Sequence, residues 1–472
     1  MVINGYEPKR LFDLFEKITT VPRGSGHEEK IADFLCDFAA ERGLYHYRDK
    51  MHNVLIKCKA TSGRESEPPV LLQGHTDMVC EKNSDVDFDF EKDALNIYVD
   101  ENGFLRARGT TLGGDDGAAV AIMLALLDGE CESHPALECL FTVQEETGLD
   151  GAKSFDYDLI GARTMINLDS ETDGIATAGC AGGIFHEVTL PLPKNECSQT
   201  GVKITLGGLA GGHSGENINS GRANANKLMG RVLLSLDGIR ISSIDGGSKD
   251  NAIPRECEAL CIVSDYADFE AKINKIYNEI KNELAPADSA FFIKTERADV
   301  GYASGAEDSR KIASFISSVH NGVIEMSKNI DGLVEFSRNL GIIGTDGETV
   351  RFVFSARSAI ESRLDYADTE LANLALTYGG RSVLTGRYPG WEYAKTSALR
   401  DKYFEVYRRI TGKEAKADVI HAGLECGIIK SKIHDMDMIS IGPDMRDIHS
   451  PSEALDLASF ARTWKVVCGL LE

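Results

Sequence analysis

Apolar residues in the first third of the chain follow two alternating patterns. Helical spacing over Leu11–Thr20 and Glu28–Arg42 predicts two helices, and Ser25–Glu28 (Ser-Gly-His-Glu) has the spacing of a capping box before the second. Short apolar runs at Val54–Lys57 and Val70–Leu72 predict buried strands. The alternation continues through one strongly apolar helix and two strands, at Ala118–Leu127, Leu137–Val143 and Thr164–Leu168. This order predicts an α/β fold with a mostly parallel sheet flanked by helices.

Between about His186 and about Arg387 the pattern changes to paired strands with helices between them. Glu187–Leu190 is expected to pair with Lys203–Leu206. Further strands are predicted at Glu258–Val263, Phe291–Lys294, Leu333–Ser337 and Val350–Ala356, and helices at Ala223–Leu236, Asp268–Leu284, Ser309–Met326 and Asp368–Tyr378. This order is typical of an α+β layer, and two similar half-units in tandem are an alternative for which we find no sequence repeat.

The α/β pattern returns near Ser397. Its predicted elements are helices at Ser397–Arg409 and Gly423–Ser431, strands at Asp418–Ala422 and Met438–Ile441, and a C-terminal helix from Pro451. We therefore expect one α/β domain built from residues 1–185 and 388–472, with an α+β domain of residues 186–387 inserted into it. The insert is long enough to form a domain of its own.

Charge and composition narrow the class of protein. The 472 residues include 51 Lys and Arg against 74 Asp and Glu, a formal net charge of -23. Such a surface repels nucleic acids and anionic membranes, so we expect neither as a partner. The longest apolar run, Ala118–Leu127, is shorter than the roughly 20 residues that a membrane helix needs. With no secretory signal visible and the 11 scattered cysteines expected as reduced thiols, we expect a cytoplasmic protein.

Residues that suit metal binding follow the predicted strands of the α/β domain. His75 and Asp77 leave the strand that begins at Val70 two residues apart, so both project to the same side. His75 suits a metal ligand and Asp77 a carboxylate that orients it, although a surface His near an Asp has the same spacing. Open parallel sheets bind ligands at the carboxyl ends of their strands, which favours the metal site.

Two pairs of adjacent acids come next. Asp115 and Asp116 lie on a Gly-rich turn before the apolar helix, where they could cap the helix or hold cations. Glu145 and Glu146 end another apolar strand. Adjacent like charges repel there unless a cation or a proton lies between them, and a solvated acidic loop is the alternative.

Two more candidates complete the set. Asp169 follows a short apolar strand, and His449 lies in the loop after the last strand. Each signal is weak alone, but together they bring two imidazoles and several carboxylates to one sheet edge, a donor set that suits Zn²⁺, Mn²⁺ or Co²⁺. The carboxylates of Asp115, Glu146 and Asp169, with a bound hydroxide, would balance two divalent ions.

Six motifs around these residues carry a family resemblance: Gly74–Val79, Gly109–Asp115, Glu145–Gly148, Gly211–Gly215, Ser440–Pro443 and His449–Pro451. They resemble the dimetal exopeptidase family that includes carboxypeptidase G, tripeptidase and cytosolic dipeptidases. Within that family, Pro22–Glu29, Tyr388–Trp391 and His421–Gly427 are similar to the bacterial branch that cleaves aminoacyl-histidine (Xaa-His) dipeptides. The match runs in order over nearly the whole chain. It implies a zinc-exopeptidase-like fold in which the inserted α+β domain is a lid.

The resemblance also implies a metal-ligand set. Two divalent metal ions, zinc with manganese or cobalt as alternatives, would share Asp115 as a bridge. His75 and Asp169 would complete the protein ligands of one ion, and Glu146 and His449 those of the other. Relatives in the branch often have Ala and Asn where this chain has Gly114 and Asp116.

Catalytic and substrate-binding roles follow from the same resemblance. Glu145 would be the general acid and base, Asp77 would orient His75, and His213 in the lid would stabilise the oxyanion. The residues implied in substrate binding are Asn251, Arg357, His421 and Glu425. Of these, Asn251 and Arg357 would bind the terminal carboxylate, which a guanidinium fork matches in geometry. His421 and Glu425 would shape the pocket.

The implied activity is metal-dependent hydrolysis of dipeptides with free termini, with Xaa-His substrates such as carnosine included. An N-acyl amino acid deacylase on the same dimetal site is the alternative. A non-catalytic acidic binding protein is disfavoured, because all seven metal and catalytic positions carry competent side chains. The insert is longer than in family members that dimerise through it, so a monomer and a homodimer both remain open.

Overall fold

The chain forms two compact units in the computed structural model, which describes residues 2–328 and 330–472. The first unit comprises Met1–Gly179, Trp391–Val419 and Leu424–Glu472, and the second comprises Cys180–Gly390 with Ile420–Gly423. Along the described part of the chain, no helix combines the length and the apolar character that crossing a membrane requires.

The elements are numbered in chain order. The helices are α1 (Lys9–Ile18), α2 (Glu29–Glu41), α3 (Gly114–Leu127), α4 (Glu145–Gly148), α5 (Asp150–Ser154), α6 (Ala225–Leu234), α7 (Tyr266–Glu283), α8 (Ala306–Ser318), α9 (Glu361–Thr377), α10 (Ala398–Thr411), α11 (Glu425–Lys432) and α12 (Leu457–Leu471). The strands are β1 (Tyr45–Arg48), β2 (Val54–Cys58), β3 (Val70–His75), β4 (Ile97–Val99), β5 (Phe104–Ala107), β6 (Leu137–Thr142), β7 (Thr164–Asn167), β8 (Ile175–Cys180), β9 (Gly182–Pro191), β10 (Lys194–Gly207), β11 (Gly212–His213), β12 (Arg240–Gly246), β13 (Ala252–Ile253), β14 (Cys257–Ile262), β15 (Phe292–Ser304), β16 (Gly322–Met326), β17 (Val334–Asp346), β18 (Thr349–Ser358), β19 (Arg381–Tyr388), β20 (Lys416–Ile420), β21 (Asp437–Ser440), β22 (Met445–Arg446) and β23 (Ala454–Asp456).

An eight-stranded sheet with the order β1-β2-β6-β3-β7-β21-β8-β20 forms the centre of the first unit. Its middle strands β6, β3, β7 and β21 are parallel, whereas β2 and β8 pair with them in antiparallel fashion. The predicted α/β class is confirmed, with the parallel pairing confined to the middle of the sheet. In the register His75 lies beside Thr142 and Gln73 beside Asn167, so the carboxyl ends of three strands meet at one edge.

The burial of helix α3 explains why its sequence is apolar on every side. All of its residues are buried in the core of the first unit. Phe15 of α1 and Phe460 of α12 line the same core, with ring centroids 5.7 Å apart in an edge-to-face arrangement. A helix packed on all sides has little freedom to shift, which fixes the acidic pair at its N-terminus.

The second unit is built on an antiparallel sheet with the order β15-β10-β14-β12-β17-β18-β9-β19, and β16 pairs with β17. Residues of α6, α7, α8 and α9 are buried in one core against this sheet. Phe315 of α8 contacts the rings of Phe352 and Phe354, with centroids 4.9 and 6.2 Å away. β11 and β13 form a small separate ladder. The unit has the α+β character expected of the insert.

Two elements of the second unit differ from the sequence prediction. β9 and β10 are consecutive but do not pair with each other, because β9 lies between β18 and β19 and β10 lies between β14 and β15. The helix expected over Ser309–Met326 ends at Ser318, and Gly322–Met326 is strand β16. Gly322 adopts a φ of 87°, which lets the chain turn before the strand. Apolar spacing alone does not separate a short strand from the end of a helix.

The C-terminal helix also starts later than expected. It begins at Leu457 rather than Pro451, and the residues between them include β23. The Asp456 carboxylate accepts hydrogen bonds from the backbone nitrogens of Ala458 and Ser459 and so caps the helix. A single Asp five residues after Pro451 was the signal for this start.

Candidate metal centre

Glu453 holds the Gly-rich turn that carries the acidic pair. Its buried carboxylate accepts hydrogen bonds from four successive backbone nitrogens, those of Leu112 (2.7 Å), Gly113 (2.9 Å), Gly114 (2.7 Å) and Asp115 (3.4 Å). Burial raises the pKa of Glu453, and the hydrogen bonds from the backbone oppose that rise. Gly113 has a φ of 66°, and a Cβ at this position would collide with the Arg23 guanidinium. Only glycine fits this point of the turn.

Arg23 ties the turn to the end of β3. Its guanidinium is 1% exposed and donates hydrogen bonds to the carbonyl oxygens of Gly113, Thr76 (2.9 Å) and Asp77 (3.3 Å). Burial lowers the pKa of Arg23, and the neighbouring Glu453 and Asp77 carboxylates oppose this. The buried, positively charged guanidinium of Arg23 thus lies behind the acidic residues and holds two of the loops that carry them.

The adjacent acids Asp115 and Asp116 have different roles. The Asp115 carboxylate faces two histidines, with Oδ1 at 3.0 Å from Nε2 of His75 and Oδ2 at 3.1 Å from Nε2 of His449. Asp116 Oδ1 accepts a hydrogen bond from Ala119 N (3.2 Å), and its Oδ2 accepts one from His75 N (3.3 Å). Asp116 therefore acts as a helix cap at the start of α3, whereas Asp115 faces the histidines.

Five of the predicted ligands converge at this edge of the sheet. His75 Nε2 lies 3.5 Å from Asp169 Oδ1, and His449 Nε2 lies 2.9 Å from Glu146 Oε2. Two sets of side chains bring their potential ligand atoms within 4.8 Å of one another: His75 with Asp115 and Glu146, and His75 with Asp116 and Asp169. Oε1 of Glu146 is buried and has no hydrogen-bond partner among the described residues. Such an atom suits a metal ligand.

The charges at the centre are strongly coupled. Burial alone would lower the pKa of His75, but Asp169 and Asp115 raise it well above its ordinary value. Hydrogen bonds to Asp115 and Glu146 raise the pKa of His449 to about 11. Burial raises the pKa of Asp169 to about 6, and the nearby Asp115 and Glu146 carboxylates add to this rise. A concentration of acids that the histidines only partly neutralise favours a bound cation.

Asp77 fixes the orientation of its neighbours. Its Oδ1 lies 3.4 Å from His75 Nδ1 and accepts a hydrogen bond from Glu145 N (3.1 Å). Its Oδ2 accepts hydrogen bonds from Glu146 N (3.3 Å) and from Ser25 Oγ (2.8 Å). Ser25 therefore contacts Asp77 and does not cap α2 as the capping-box spacing predicts. One buried carboxylate orients a histidine and the first turn of α4 together.

Glu145 lies beside the predicted ligands without belonging to either set of side chains. Burial raises the pKa of Glu145 well above its ordinary value; His75 opposes the rise, and the Asp169 and Glu146 carboxylates add to it. Gln144, which precedes it, has a φ of 54°, so the chain turns sharply between β6 and α4. The turn places two consecutive glutamates at the same sheet edge.

Glu425 lies under the strand ends. Its side chain is 0% exposed, and Oε2 accepts hydrogen bonds from Thr142 Oγ1 (2.7 Å) and Gln73 Nε2 (2.5 Å). Gln73 Oε1 in turn accepts one from Asn167 Nδ2 (2.7 Å). This polar layer joins β6, β3 and β7 just before His75, Glu145 and Asp169 leave the sheet. Burial raises the pKa of Glu425 to about 7.

Two of the predicted residues, His213 and Asn251, are neighbours in the second unit. His213 ends β11, which pairs with β13 immediately after Asn251, and Ser214 N donates to the Asn251 carbonyl at 2.8 Å. Glu216 N donates to His213 Nδ1 at 3.3 Å, and the imidazole is 31% exposed. Burial and the nearby Arg357 charge lower the pKa of His213, so its imidazole favours the neutral form.

Arg357 and His421 are also placed in the second unit. Arg357 Nη1 donates to the Tyr388 hydroxyl (2.6 Å), while its buried Nε has no hydrogen-bond partner among the described residues. His421 Nε2 lies 2.7 Å from Ser337 Oγ, and Ser337 is paired with Arg357 across β17 and β18. Burial and Arg357 lower the pKa of His421 to about 4, so this imidazole is neutral near pH 7.

Two residues of the first unit that the sequence analysis left without a role, Arg23 and Glu453, support the centre. Arg23 lies within Pro22–Glu29, a segment that carried only a resemblance, and Glu453 lies four residues after His449. An arginine beside a Gly-rich motif and an acid near a loop histidine are common in sequences. Only long-range contacts identify their roles.

Residues 71–472 match the sequence profile of Peptidase family M20/M25/M40. Cytosol non-specific dipeptidase from Escherichia coli (strain K12) is 38% identical over 480 residues, which cover 100% of this chain and 98% of that protein. The crystal structure of aminoacylhistidine dipeptidase from Vibrio alginolyticus has a TM-score of 0.89 at 35% identity and covers 99% of this chain and 96% of that one. Aminopeptidase PepT from Bacillus cereus shares the fold, with a TM-score of 0.57 at 15% identity over 99% and 98% of the two chains. The chain therefore belongs to Peptidase family M20/M25/M40, which confirms the family resemblance of its motifs and the expectation of an enzyme.

Proposed function

We propose that the chain hydrolyses dipeptides with free termini, including Xaa-His substrates such as carnosine, at a centre of two divalent metal ions. The names of the Escherichia coli and Vibrio alginolyticus relatives support the substrate class. The main observation in support of this proposal is that the two oxygens of Asp115 face different histidines, at 3.0 and 3.1 Å. A carboxylate in that position suits a bridge between two ions. The cytosolic location in the Escherichia coli name is proposed for this chain as well.

The donor set fits the proposed ions. His75, Asp115 and Asp169 would hold one ion, and Asp115, Glu146 and His449 the other. Nitrogen and oxygen ligands suit Zn²⁺ first, with Mn²⁺ or Co²⁺ as alternatives. The buried, unpartnered Oε1 of Glu146 among the described residues supports the assignment. When bound, two such ions lower the pKa of a shared water and polarise the scissile carbonyl.

Glu145 is the proposed general base and acid. It follows β6 directly, its backbone nitrogen is held by Asp77, and its side chain lies beside Glu146 without belonging to a ligand set. In the proposed reaction, the Glu145 carboxylate accepts a proton from the attacking water and then passes it to the leaving amine. Asp77 keeps His75 in the orientation that presents Nε2 to the centre.

The substrate-handling residues of the second unit are proposed from their chemistry and from the family resemblance. Arg357 has a buried Nε without a partner among the described residues, so its guanidinium has a donor left for a substrate carboxylate. Asn251 and His421 are proposed as further substrate-binding residues. Burial and the Arg357 charge lower the pKa of His213, which favours the neutral imidazole, and its ring N–H can donate a hydrogen bond to a developing oxyanion.

Glu425 receives a different role from the one its motif implies. Its carboxylate is fully buried, and Oε2 already accepts hydrogen bonds from Thr142 and Gln73. We therefore propose that Glu425 stabilises the strand ends from below and does not touch the substrate. An N-acyl amino acid deacylase would use the same centre, and it differs from a dipeptidase in the acyl group of its substrate.

The first prediction separates these two activities. The purified full chain, loaded with Zn²⁺ or Mn²⁺, is expected to hydrolyse carnosine and alanyl-histidine. Acetylation of the substrate amino group should lower kcat/KM by at least about 100-fold, because a site built for a charged amine leaves its polar groups unpaired with the blocked substrate. Product amino acids are measured by chromatography. Equal rates on blocked and free substrates would instead identify a deacylase, and no hydrolysis of either would overturn both.

The second prediction concerns Glu145. Glu145→Gln keeps the size of the side chain but removes its ability to accept a proton, so kcat should fall by about 10³-fold. Metal content, measured by atomic emission, should remain that of the wild type. Glu132→Gln, which changes an exposed glutamate in the same unit, is the control and should retain wild-type kcat. A near-normal kcat in Glu145→Gln would show that another group moves the proton.

The third prediction concerns the turn held by Glu453. Glu453→Gln places an amide where four backbone nitrogens point, so the position of Asp115 should loosen and divalent-metal affinity should fall by about 10–100-fold. Titration calorimetry with Zn²⁺ and Mn²⁺ measures this change, and circular dichroism checks the fold. The control, Glu101→Gln, lies on an exposed turn. Unchanged affinity in Glu453→Gln would contradict the positioning role.

The fourth prediction concerns His213. Removing an oxyanion donor costs about 10²–10³-fold in kcat, and His213→Ala should show a loss of this size with unchanged metal content. Glu216→Gln is the matched control, because Glu216 lies 3.7 Å from the imidazole with 73% of its side chain exposed. It should leave kcat within about twofold of the wild type, as for most exposed pairs. A loss confined to KM in His213→Ala would assign this residue to ground-state binding.

A further inference from the structure

A cavity of about 390 Å³ opens beside the metal centre within the first unit. Glu146, a proposed metal ligand, forms part of its wall, so the cavity begins where the proposed reaction takes place. Its other walls come from three stretches of chain around Ser25, Met78 and Phe90. The proposed reaction leaves this cavity without a function.

The walls are held by specific contacts. Gly24 and Met78 form a parallel β-bridge, and a Cβ at Gly24 would lie 2.6 Å from the Cys80 sulfur, so the two stretches approach as closely as glycine allows. The ring of Phe90 packs edge-on against that of Phe88, with centroids 4.8 Å apart. Lys30 Nζ donates to the Glu91 carbonyl at 2.6 Å and anchors this loop to α2. The cavity is therefore largely pre-formed.

The lining combines an apolar interior with an acidic rim. Met78 is buried and lies with Val79 and Phe90 along the cavity, while Glu81 and Glu91 are exposed at its edge. His27 Nε2 is 3.9 Å from Glu91 Oε1. Residues 80–93 carry six acidic side chains against two lysines. A long side chain with an apolar stem and a cationic end complements such a surface, because the stem packs on the aromatic ring while the cation stays near the acids.

We propose that this cavity is the subsite for one side chain of the dipeptide, and that it selects lysine- or arginine-like side chains over acidic ones. The proposal rests on the proposed function, since it needs a dipeptide bound at the metal centre. Glu146 links the two places because it faces both His449 and the cavity. Phe90 and Met78 supply the packing surface, and Glu81 and Glu91 supply the charge selection.

The test uses the metal-loaded full chain and matched pairs of substrates. Lysyl-alanine is compared with methionyl-alanine, and alanyl-lysine with alanyl-methionine, because lysine and methionine have similar stems and differ in charge. In one of the two pairs the kcat/KM of the lysine substrate should exceed that of the methionine substrate, and the corresponding glutamate substrate should be the poorest. The pair that responds identifies which residue of the dipeptide occupies the cavity.

Variants then locate the selectivity. The double substitution Glu81→Gln with Glu91→Gln should lower the lysine-to-methionine ratio by about fivefold, because two charges at the rim are removed. Glu101→Gln with Glu130→Gln removes the same charge from exposed positions outside the cavity and should leave the ratio unchanged. Phe90→Ala should lower kcat/KM for both long side chains relative to alanyl-alanine, which tests the packing surface independently.

The outcomes are distinguishable. An unchanged ratio in the Glu81/Glu91 double variant, or an equal fall in the Glu101/Glu130 control, would overturn the subsite while dipeptide hydrolysis stands. A glutamate substrate cleaved as well as its lysine counterpart by the wild type would also overturn it. If the metal-loaded chain cleaves no dipeptide, the proposed function fails and the subsite assignment fails with it.

Discussion

The carboxylate of Glu453 positions Asp115, the residue around which the candidate metal centre is arranged. It accepts four backbone hydrogen bonds from the turn between Leu112 and Asp115, and hydrogen bonds to a charged group contribute about 1.5–3 kcal/mol each. Glu453 lies four residues after His449, so the same anchor holds the loop of the histidine and the turn of the aspartate. Arg23 secures the opposite side of the turn. Both oxygens of Asp115 face imidazoles, and Glu453 and Arg23 hold the backbone that carries this side chain.

Paired acids recur in this centre, and in each pair the neighbours do different things. Asp115 faces the histidines while Asp116 caps α3, and Glu146 faces His449 while Glu145 lies outside both ligand sets. Two consecutive acidic side chains can both reach the same sheet edge only where the backbone bends. Helical geometry is interrupted at Asp115 and Asp116, and Gln144 adopts a positive φ before the glutamates. The bends let one sheet edge present many carboxylates in a small volume.

Much of the first unit could be predicted from the sequence because its signals are local. The apolar run of α3 and the strands that precede His75 and Asp169 are visible as spacing, and parallel strands bring their ends to one edge. Glu453 could not be predicted in this way, because its partners lie 338 to 341 residues away along the chain. The pairing of β9 with β18 is equally non-local. Ser25 shows the opposite error, since a plausible local cap was outcompeted by a distant carboxylate.

The path of the chain between the two units has a consequence for how the protein is assembled. Ile420–Gly423 belongs to the second unit although more than two dozen residues of the first unit separate it from Gly390. His421, which reaches Ser337, is therefore delivered by a short excursion from the other unit. A contiguous fragment cut at the first two crossings would lack this imidazole and leave the Ser337 hydroxyl without it. The segment Cys180–Gly390 alone is therefore an incomplete second unit, because His421 is encoded in a later part of the chain.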